Sequence, residues 1–410
     1  MMQLLRSLWL FVVTKVNNLK SFLLYLIIVS RLKRLVRLRV YFSDSVVPGL
    51  YKCNAEFFLG RERLFSYGVS KSYQESFLKT ISELFERYIP WSVSVHGALP
   101  DELTKERVSF LGEIHTSLRV VPVYCLATKV GAYVPAHCVR RYAPTLDGAQ
   151  VLFPFTTNGS AAHVVEDDAL CNGIYEVIER DALLCHWYGK VAPSRITTEH
   201  MPRSLRDIVS AYNFRGITIG VLLITTDIHI PAVCVVASTV IDGEIRRCYT
   251  AAAHVSLERA IKKALHEVTI IQSHLFAPHS KEINLEHIQQ HERPRLWRGS
   301  AFEKEFSWFL SGEERDYPAT LALFERGTIQ GSPDTLALYL KEKGVTTYAY
   351  IYPAVPRISS RVIVCKIVTP ELFPFFLSEQ HKKFGTKRLA NFCMYKKIPF
   401  FEYTYPHLLP

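Results

Sequence analysis

One long helical pattern constrains the fold of this chain of 410 residues more than any other feature of its sequence. Residues 165–189 are apolar on nearly every side, and a helix of that kind is buried. The same helix carries several carboxylates, among them Asp168, Glu176 and Glu179. Carboxylates on a buried helix need partners or metal ions, because an isolated charge is costly to remove from water. The pattern therefore predicts a buried helix with an acidic site along it.

The motif E-x-x-E-R occurs twice, at residues 83–87 and 176–180, each time late in a helix with an apolar stripe. At about 100° per residue, Ser76, Glu83 and Glu86 fall on one stripe about 15 Å long in the first of these helices. The second helix behaves alike, since Asp168 and Glu179 differ by only about 20° in direction. The two helices would therefore each present a row of polar side chains.

Facing each other, the two rows would form an acidic groove with five carboxylates: Glu83, Glu86, Asp168, Glu176 and Glu179. Mg²⁺ prefers carboxylates and water and is normally shared with substrate phosphates. Bound Mg²⁺ ions would turn such a groove into a triphosphate site, because they invert the local charge. The alternative is that the pairs Glu83–Arg87 and Glu176–Arg180 are ordinary i,i+4 ion pairs on helix surfaces. Spacing alone leaves both interpretations open.

Other catalytic motifs are absent or weak. The sequence has no Walker A loop, no G-x-G-x-x-G before a helix and no G-x-S-x-G. His287 and His291 are four residues apart but lack the glutamate of the zinc-protease motif, and their polar surroundings favour a solvated helix. Cys185 and His186 are adjacent on a helix, so their side chains do not face each other.

The mixture of long helices and paired strands predicts an α+β fold. Helical periodicity covers about residues 70–89, 165–189, 202–212, 256–276 and 333–343, and strand-like runs cover 119–127, 131–136, 217–225, 231–240, 244–250, 346–352 and 361–368. Two hairpins are predicted, Val121–Cys125 with Tyr133–Ala136 and Ala232–Thr239 with Ile245–Thr250, the second turning at Asp242-Gly243. We interpret residues 45–410 as one domain, with a peripheral insertion over 277–335 and a proline-containing tail over 400–410.

The net charge of +11 is concentrated at one end of the chain. Residues 1–40 hold eight bases and no acid, whereas residues 41–410 hold 41 bases and 38 acids, a net of +3. The charge is therefore a poor argument for nucleic-acid binding. The nine cysteines are scattered, odd in number and without C-x-x-C, which favours a reducing, cytoplasmic location.

The basic N-terminal segment, residues 1–44, is predicted to be a helical extension. Its apolar runs, Leu8–Val13 and Phe22–Val29, are interrupted by lysines and are shorter than the roughly 20 residues that span a bilayer. A helix docked on the body or on a partner protein explains it better than an amphipathic helix on a membrane surface. Both interpretations remain open.

Taken together, these motifs resemble the YcaO superfamily, whose members activate backbone amides of peptides with ATP. The resemblance covers about residues 60–275 and the extreme C-terminus. It is carried by Gly68-Val69-Ser70 with the first E-x-x-E-R helix, by Asn158-Gly159-Ser160-Ala161-Ala162 followed by the second, by Ala252-Ala253-His254 with Ala260, Ala264-Leu265, Glu267 and Gln272-Ser273, and by the tail Tyr405-Pro406-His407-Leu408-Leu409-Pro410.

The resemblance implies that the five carboxylates of the groove hold Mg²⁺ and ATP, with contributions from Ser76, Arg180 and Gln272. It also implies that the terminal carboxylate of Pro410 is the candidate general base. Four positions depart from the family pattern, namely Lys79, Val164, Asp168 and His274. Asp168 stands where a longer glutamate is usual, and Val164 is unable to bind a metal ion.

In the azoline-forming branch that the tail resembles, a Cys, Ser or Thr side chain of a precursor peptide is cyclised to a thiazoline or oxazoline. The alternatives are a thioamide- or amidine-forming member of the same family, or a non-catalytic scaffold that keeps the fold. The resemblance further implies a separate partner that binds the leader peptide, a flavin dehydrogenase in the same complex, and a homodimer.

Overall fold

The computed structural model describes residues 37–43, 47–59, 62–92, 120–140, 155–276, 302–325, 331–354, 362–376 and 385–408, and the isolated positions 30, 45, 296, 297 and 329. Most of the predicted N-terminal extension lies outside the described residues. So do Pro410 and the side chain of His274. Among the described residues, no helix is long and apolar enough to cross a membrane.

The first half of the chain alternates short strands with two long helices. Its elements are β1 (Arg39–Ser43), β2 (Tyr51–Leu59), β3 (Glu62–Ser70), α1 (Tyr73–Ser92), β4 (Val120–Cys125), β5 (Gly131–Pro135), a 3₁₀ turn (Ala136–Cys138), β6 (Ser160–His163), α2 (Glu166–Tyr188), β7 (Ser194–Ile196) and α3 (Arg203–Asn213).

The second half begins with a long hairpin and ends with a helix before the tail. Its elements are β8 (Thr218–Leu223), β9 (Ala232–Ile241), β10 (Glu244–Ala253), α4 (Leu257–Ile271), α5 (Ser273–Phe276), α6 (Glu303–Ser307), a 3₁₀ turn (Trp308–Leu310), β11 (Glu314–Arg315), α7 (Tyr317–Glu325), α8 (Pro333–Glu342), β12 (Tyr348–Ile351), β13 (Ile363–Val368) and α9 (Thr386–Tyr395).

The described strands form three sheets, in the orders β1-β2-β3, β5-β4-β12-β13-β6 and β10-β9-β8-β7-β11. Neighbouring strands are antiparallel except β7 and β11. This architecture confirms the predicted α+β class. Both predicted hairpins are present as β4–β5 and β9–β10. Asp242 and Gly243 have φ values of 54° and 79°, the left-handed conformation that a tight two-residue hairpin turn requires.

The sheet β1-β2-β3 was not predicted from the sequence. Helix α1 packs on it through one apolar face, with Ile81, Leu84 and Phe85 in a common core with Cys53 and Phe57. The opposite face of α1 is left for its polar side chains. A β-carbon at Gly68 of β3 would collide with the backbone of α1, so glycine is needed where the helix crosses the strand.

Helix α2 is buried, as its apolar pattern predicted. It packs against β6, β10 and β13, and most of its side chains lie in the largest core. The described part of 277–335 also enters this core through Trp297, Phe306 and Phe309, and β11 extends a sheet. This differs from the peripheral position expected from its weak periodicity, because single bulky aromatic residues fill the core without forming a regular stripe.

Candidate active site

The carboxylates of α1, Glu83 and Glu86, accept hydrogen bonds from the backbone of two neighbouring strands. Glu83 accepts hydrogen bonds from the backbone N–H of Tyr67 on β3 and from Arg87 Nη2, both at 2.6 Å. Glu86 accepts one from the backbone N–H of Ala162 on β6, at 3.0 Å. Because the two residues are three apart on a helix, both reach the space between α1 and the second sheet.

The carboxylates of α2 meet those of α1 across β6. Arg180 lies 3.7 Å from the nearest oxygen of Glu176 and 3.7 Å from that of Glu179. Lys263 on α4 lies 3.5 Å from Glu179. The ion pair Glu176–Arg180 is therefore present, as the alternative interpretation required, but it lies inside the protein rather than on a solvated helix face. Glu179 keeps only 5% of its side-chain surface exposed.

Helix α4 adds a carboxylate that was not among the predicted ligands. Glu267 lies 3.9 Å from Lys263, one helical turn away. The negative charges of Glu179 and Glu83 act on Glu267 and help to raise its pKa. Glu267 belongs to the third sequence motif, and it is a polar position on a helix whose neighbours Ala264 and Val268 are buried. A glutamate among buried apolar positions of one helix is a sequence signal that could have identified Glu267 as a site residue.

We call Glu83, Glu86, Glu176, Glu179 and Glu267 the carboxylate cluster. Burial, together with the charges of Glu176 and Glu83, raises the pKa of Glu86 to about 8. Burial raises the pKa of Glu267 to about 8 despite the nearby charge of Lys263. Burial also raises the pKa of Glu176, against the opposing charge of Arg180. Burial therefore favours the neutral form of these acids, and a bound cation would stabilise their ionised form.

Three polar side chains near the cluster or in its motifs have buried atoms without a hydrogen-bond partner in the part of the chain that the structure describes. These atoms are Nε and Nη1 of Arg180, Oε1 of Gln272 and Oδ1 of Asn158. An unpaired buried polar group is costly, so such atoms usually mark a missing ligand or water. The uncompensated carboxylates call for cations, and the guanidinium of Arg180 for an anion. The residues therefore fit a Mg²⁺–nucleotide complex.

Among the described residues, no three His, Cys, Asp or Glu side chains are arranged to hold a metal ion by themselves. Mg²⁺ is commonly bound by one or two carboxylates, with waters and substrate phosphates completing its coordination. The cluster has the ligand chemistry of such a shared site.

Two predicted site residues lie away from the cluster. Ser76 is fully buried, and its hydroxyl donates to the carbonyl of Tyr73 in its own helix. Asp168 lies in the first turn of α2, with 59% of its side chain exposed and 3.2 Å from His163. Its distance along the helix explains this, because two turns separate it from Glu176. Of the other departures from the family pattern, Lys79 pairs with Glu75 and Val164 is exposed.

The described residues of the C-terminal tail pack against buried aromatic side chains near the site. Trp187 and Trp297 donate hydrogen bonds to the carbonyls of Tyr405 and Pro406, each at 3.2 Å. The ring of His407 lies 5.2 Å from that of Phe375. Phe375 in turn lies 4.8 Å from the Arg180 guanidinium in a cation–π contact. The tail is thus packed against the residue that supports Arg180.

A buried acidic cluster framed by two E-x-x-E-R helices defines a candidate nucleotide-dependent enzyme. The family comparison identifies its class. A family model described as YcaO cyclodehydratase, ATP- and Mg²⁺-binding, matches residues 62–373. The chain belongs to the YcaO family, as the sequence resemblance predicted, and its cofactors are ATP and Mg²⁺. A search of curated proteins found no match.

Solved structures share the fold at low sequence identity. A heterocyclase in complex with substrate and cofactor has a TM-score of 0.74 and 17% identity, and the match covers 91% of this chain and 55% of that one. YcaO from Methanopyrus kandleri bound with AMPPCP and Mg²⁺ has a TM-score of 0.67 and 14% identity, covering 88% and 93%. The E. coli microcin synthetase McbBCD complex with pro-MccB17 bound has a TM-score of 0.58 and 16% identity, covering 82% and 88%. The chain spans little more than half the length of the first of these proteins.

Proposed function

We propose that this protein is an ATP-dependent cyclodehydratase acting on a ribosomally made precursor peptide. The observation that carries the proposal is the carboxylate cluster, in which one buried and four partly buried acids from three helices lie near Arg180, whose Nε and Nη1 atoms have no hydrogen-bond partner among the described residues. This arrangement suits a polyanion that arrives with divalent cations. The C-terminal tail, packed next to Phe375, favours the azoline-forming branch.

In the proposed reaction, a Cys, Ser or Thr side chain of the peptide attacks the preceding amide carbonyl. The oxygen of the resulting hemiorthoamide takes the γ-phosphoryl group of ATP, and loss of phosphate and a proton leaves a thiazoline or oxazoline. Phosphorylation is needed because an amide oxygen is a poor leaving group. Bound Mg²⁺ would neutralise charge on the transferring group and align it.

We assign the roles of the chain's own residues as follows. Glu83, Glu86, Glu176, Glu179 and Glu267 supply oxygen ligands for Mg²⁺. Arg180, held over the ring of Phe375, directs its unpaired N–H groups to a phosphate oxygen, and Gln272 offers an unpaired acceptor to the nucleotide. Asp168 and Ser76 have no direct contact in this arrangement.

The terminal carboxylate of Pro410 remains the proposed general base for the nucleophile and the amide proton. Among the tail residues that the structure describes, Tyr405 and Pro406 accept hydrogen bonds from Trp187 and Trp297, and His407 lies 3.0 Å from the carbonyl oxygen of Phe376. A general base must lie within hydrogen-bond reach of its proton. A rigid, anchored tail suits that requirement.

We also propose that a separate partner binds the leader peptide and activates this subunit, alongside a flavin dehydrogenase, and that the subunit forms a homodimer within the complex. Residues 1–40 are proposed to dock to such a partner first and to a membrane surface second. Support for partner proteins comes from the E. coli microcin synthetase McbBCD complex with pro-MccB17 bound, which shares the fold.

Mass spectrometry of the co-expressed precursor peptide tests the proposal. Phosphoryl-assisted cyclodehydration removes one water, about 18 Da per site, whereas thioamide formation adds about 16 Da. Calorimetric titration with ATP and Mg²⁺ provides the second arm. A mass gain in place of the loss would favour the thioamide-forming alternative. No nucleotide binding in the presence of the partner would favour a scaffold, for which exposed Val164 is the supporting observation.

A further inference from the structure

A lysine is buried beneath the segment that leads into the site. Lys366 lies on β13 with 4% of its surface exposed. Its ammonium group donates to the carbonyl oxygens of Thr156, at 2.5 Å, and Asn158, and lies 3.4 Å from the hydroxyl of Ser160. The ring of Phe155 covers it at 4.9 Å. Burying a charged side chain costs free energy that an apolar residue at the same position would not cost. The presence of Lys366 in the interior therefore calls for a functional explanation.

The acceptors of Lys366 belong to one segment, residues 156–160, which we call the N-G-S loop. The loop is wedged between β13 and α2. The backbone N–H of Ile367 donates to the carbonyl of Gly159 at 2.8 Å. A β-carbon on Gly159 would lie 2.9 Å from Val177, and one on Gly173 would lie 2.9 Å from the Gly159 carbonyl oxygen. The loop therefore touches α2 at the level of Glu176.

The loop also leads directly into a contact with the carboxylate cluster. It continues into β6, whose residue Ala162 donates its backbone N–H to Glu86. On the other side, the positive charge of Lys366 acts on Glu176. Lys366 thus reaches one carboxylate through the backbone that it holds and another through its charge.

We propose that Lys366 is a positioning residue of the phosphoryl-transfer site: its ammonium group holds the N-G-S loop against α2, and its positive charge acts on Glu176. This inference rests on the proposed function, since it assumes that the carboxylate cluster binds Mg²⁺ and ATP. Lys366 acts through the loop rather than on substrate, because its donors are occupied by loop oxygens.

The two parts of this role have opposite consequences for cation and nucleotide binding. Removing a positive charge next to Glu176 makes the cluster more attractive to Mg²⁺ alone, by Coulomb's law. Release of the N-G-S loop and loss of the positive charge of Lys366 both lower the affinity for the nucleotide, which is a polyanion. If Lys366 had only a structural role, its substitution would lower the affinities for Mg²⁺ and for the nucleotide together and would also destabilise the fold.

The test compares Lys366→Met with wild type by calorimetry, using MgCl₂ alone and a non-hydrolysable ATP analogue at saturating Mg²⁺. We expect affinity for Mg²⁺ alone to rise about twofold to fivefold, while affinity for the analogue falls at least about tenfold. Lys366→Arg keeps the charge and should hold Mg²⁺ affinity within about twofold of wild type. Lys341→Met, at an exposed lysine on α8, is the matched control and should change neither.

Equal weakening of both ligands by Lys366→Met, or no change in either, would overturn the proposal. If that variant does not fold, Ser160→Ala removes one acceptor and keeps the charge. It should then weaken the analogue by about threefold without altering Mg²⁺ affinity, and a change in neither would also overturn the proposal. Wild type that binds neither ligand would contradict the proposed function instead, so the two failures are distinguishable.

Discussion

Two groups of charged side chains, each of which includes acids of α2, differ in how burial and neighbouring charges affect the pKa values of their acids. One is the carboxylate cluster. The other, which we call the Arg388 clamp, consists of Asp181, Asp227 and Arg388. Asp181 accepts hydrogen bonds from the backbone N–H of Phe373 at 2.8 Å and from two nitrogens of Arg388 at 2.9 and 2.7 Å. Arg388 also donates to Asp227 at 3.0 and 2.7 Å.

The difference appears in the pKa directions of the acids. In the clamp, burial acts to raise the pKa of Asp227, but the hydrogen bonds and charge of Arg388 outweigh it and hold that pKa below its usual value. In the cluster, the pKa values of Glu86, Glu176 and Glu267 are raised. A compensated buried charge stabilises the fold, whereas an uncompensated one is suited to a ligand of opposite charge.

The largest expected effect concerns the Arg388 clamp. Arg388→Met leaves the fully buried Asp181 without its cation, and we expect the free energy of unfolding to fall by about 3–5 kcal/mol. Urea denaturation measures this change. Lys387→Met, at the exposed neighbour on α9, is the control and should stay within about 0.5 kcal/mol of wild type. A comparably small change for Arg388→Met would mean that the clamp is not a structural element.

The second largest effect concerns the carboxylate cluster. Glu176→Gln or Glu179→Gln should lower ATP turnover at least hundredfold, about 2.7 kcal/mol of transition-state stabilisation, with little unfolding. The reason is that each change removes a negatively charged oxygen ligand while preserving side-chain shape. Phosphate release measures turnover, and thermal unfolding monitors the fold. Glu166→Gln, in the exposed first turn of α2, is the matched control. Survival of activity with normal nucleotide affinity would show that the cluster does not hold the cofactors.

The smallest effect concerns pH without any ligand. The pKa of Glu86 is about 8 in the folded protein, above its ordinary value of 4.5, so the folded state retains its proton longer than the unfolded state. The contribution of Glu86 to stability is therefore present below pH 4.5 and is lost as the pH rises towards 8. Glu86→Gln should remove this loss.

Thermal unfolding at several pH values between 5 and 8 measures the difference between Glu86→Gln and wild type. We expect the variant to gain a few degrees relative to wild type as the pH rises, because other titrating groups cancel in the comparison. Added Mg²⁺ should stabilise wild type more at the upper end of the range than at the lower. A pH-independent difference between the two proteins would show that Glu86 ionises as easily in the folded state as in the unfolded one.

Much of the fold was predictable because its signals are local. The apolar periodicity of residues 165–189 corresponds to α2, Glu166–Tyr188, and both hairpins follow from their strand patterns and turn residues. The sheet β1-β2-β3 was missed. Its strands are held by pairing and by the cover of α1.

The candidate site was predictable in part. Glu83, Glu86, Glu176 and Glu179 come together as their helical spacing suggested. Asp168 does not join them, because spacing along a helix says which direction a side chain takes but not which neighbour it meets. Glu267 and Lys366 come from segments whose approach to α2 depends on the packing of whole sheets.

The sequence by itself determined the two helices with the E-x-x-E-R motif, the faces on which their acids lie and the family to which the chain belongs, because these depend on periodicity and on short motifs. It did not distinguish Glu176 from Asp181, two acids five positions apart on one buried helix. Only the tertiary structure decided that Arg388, more than 200 residues along the chain, hydrogen-bonds to Asp181, while burial outweighs the cations near Glu176 and raises its pKa. The physical reason is that compensation depends on distance in space, and folding sets that distance independently of separation in the chain.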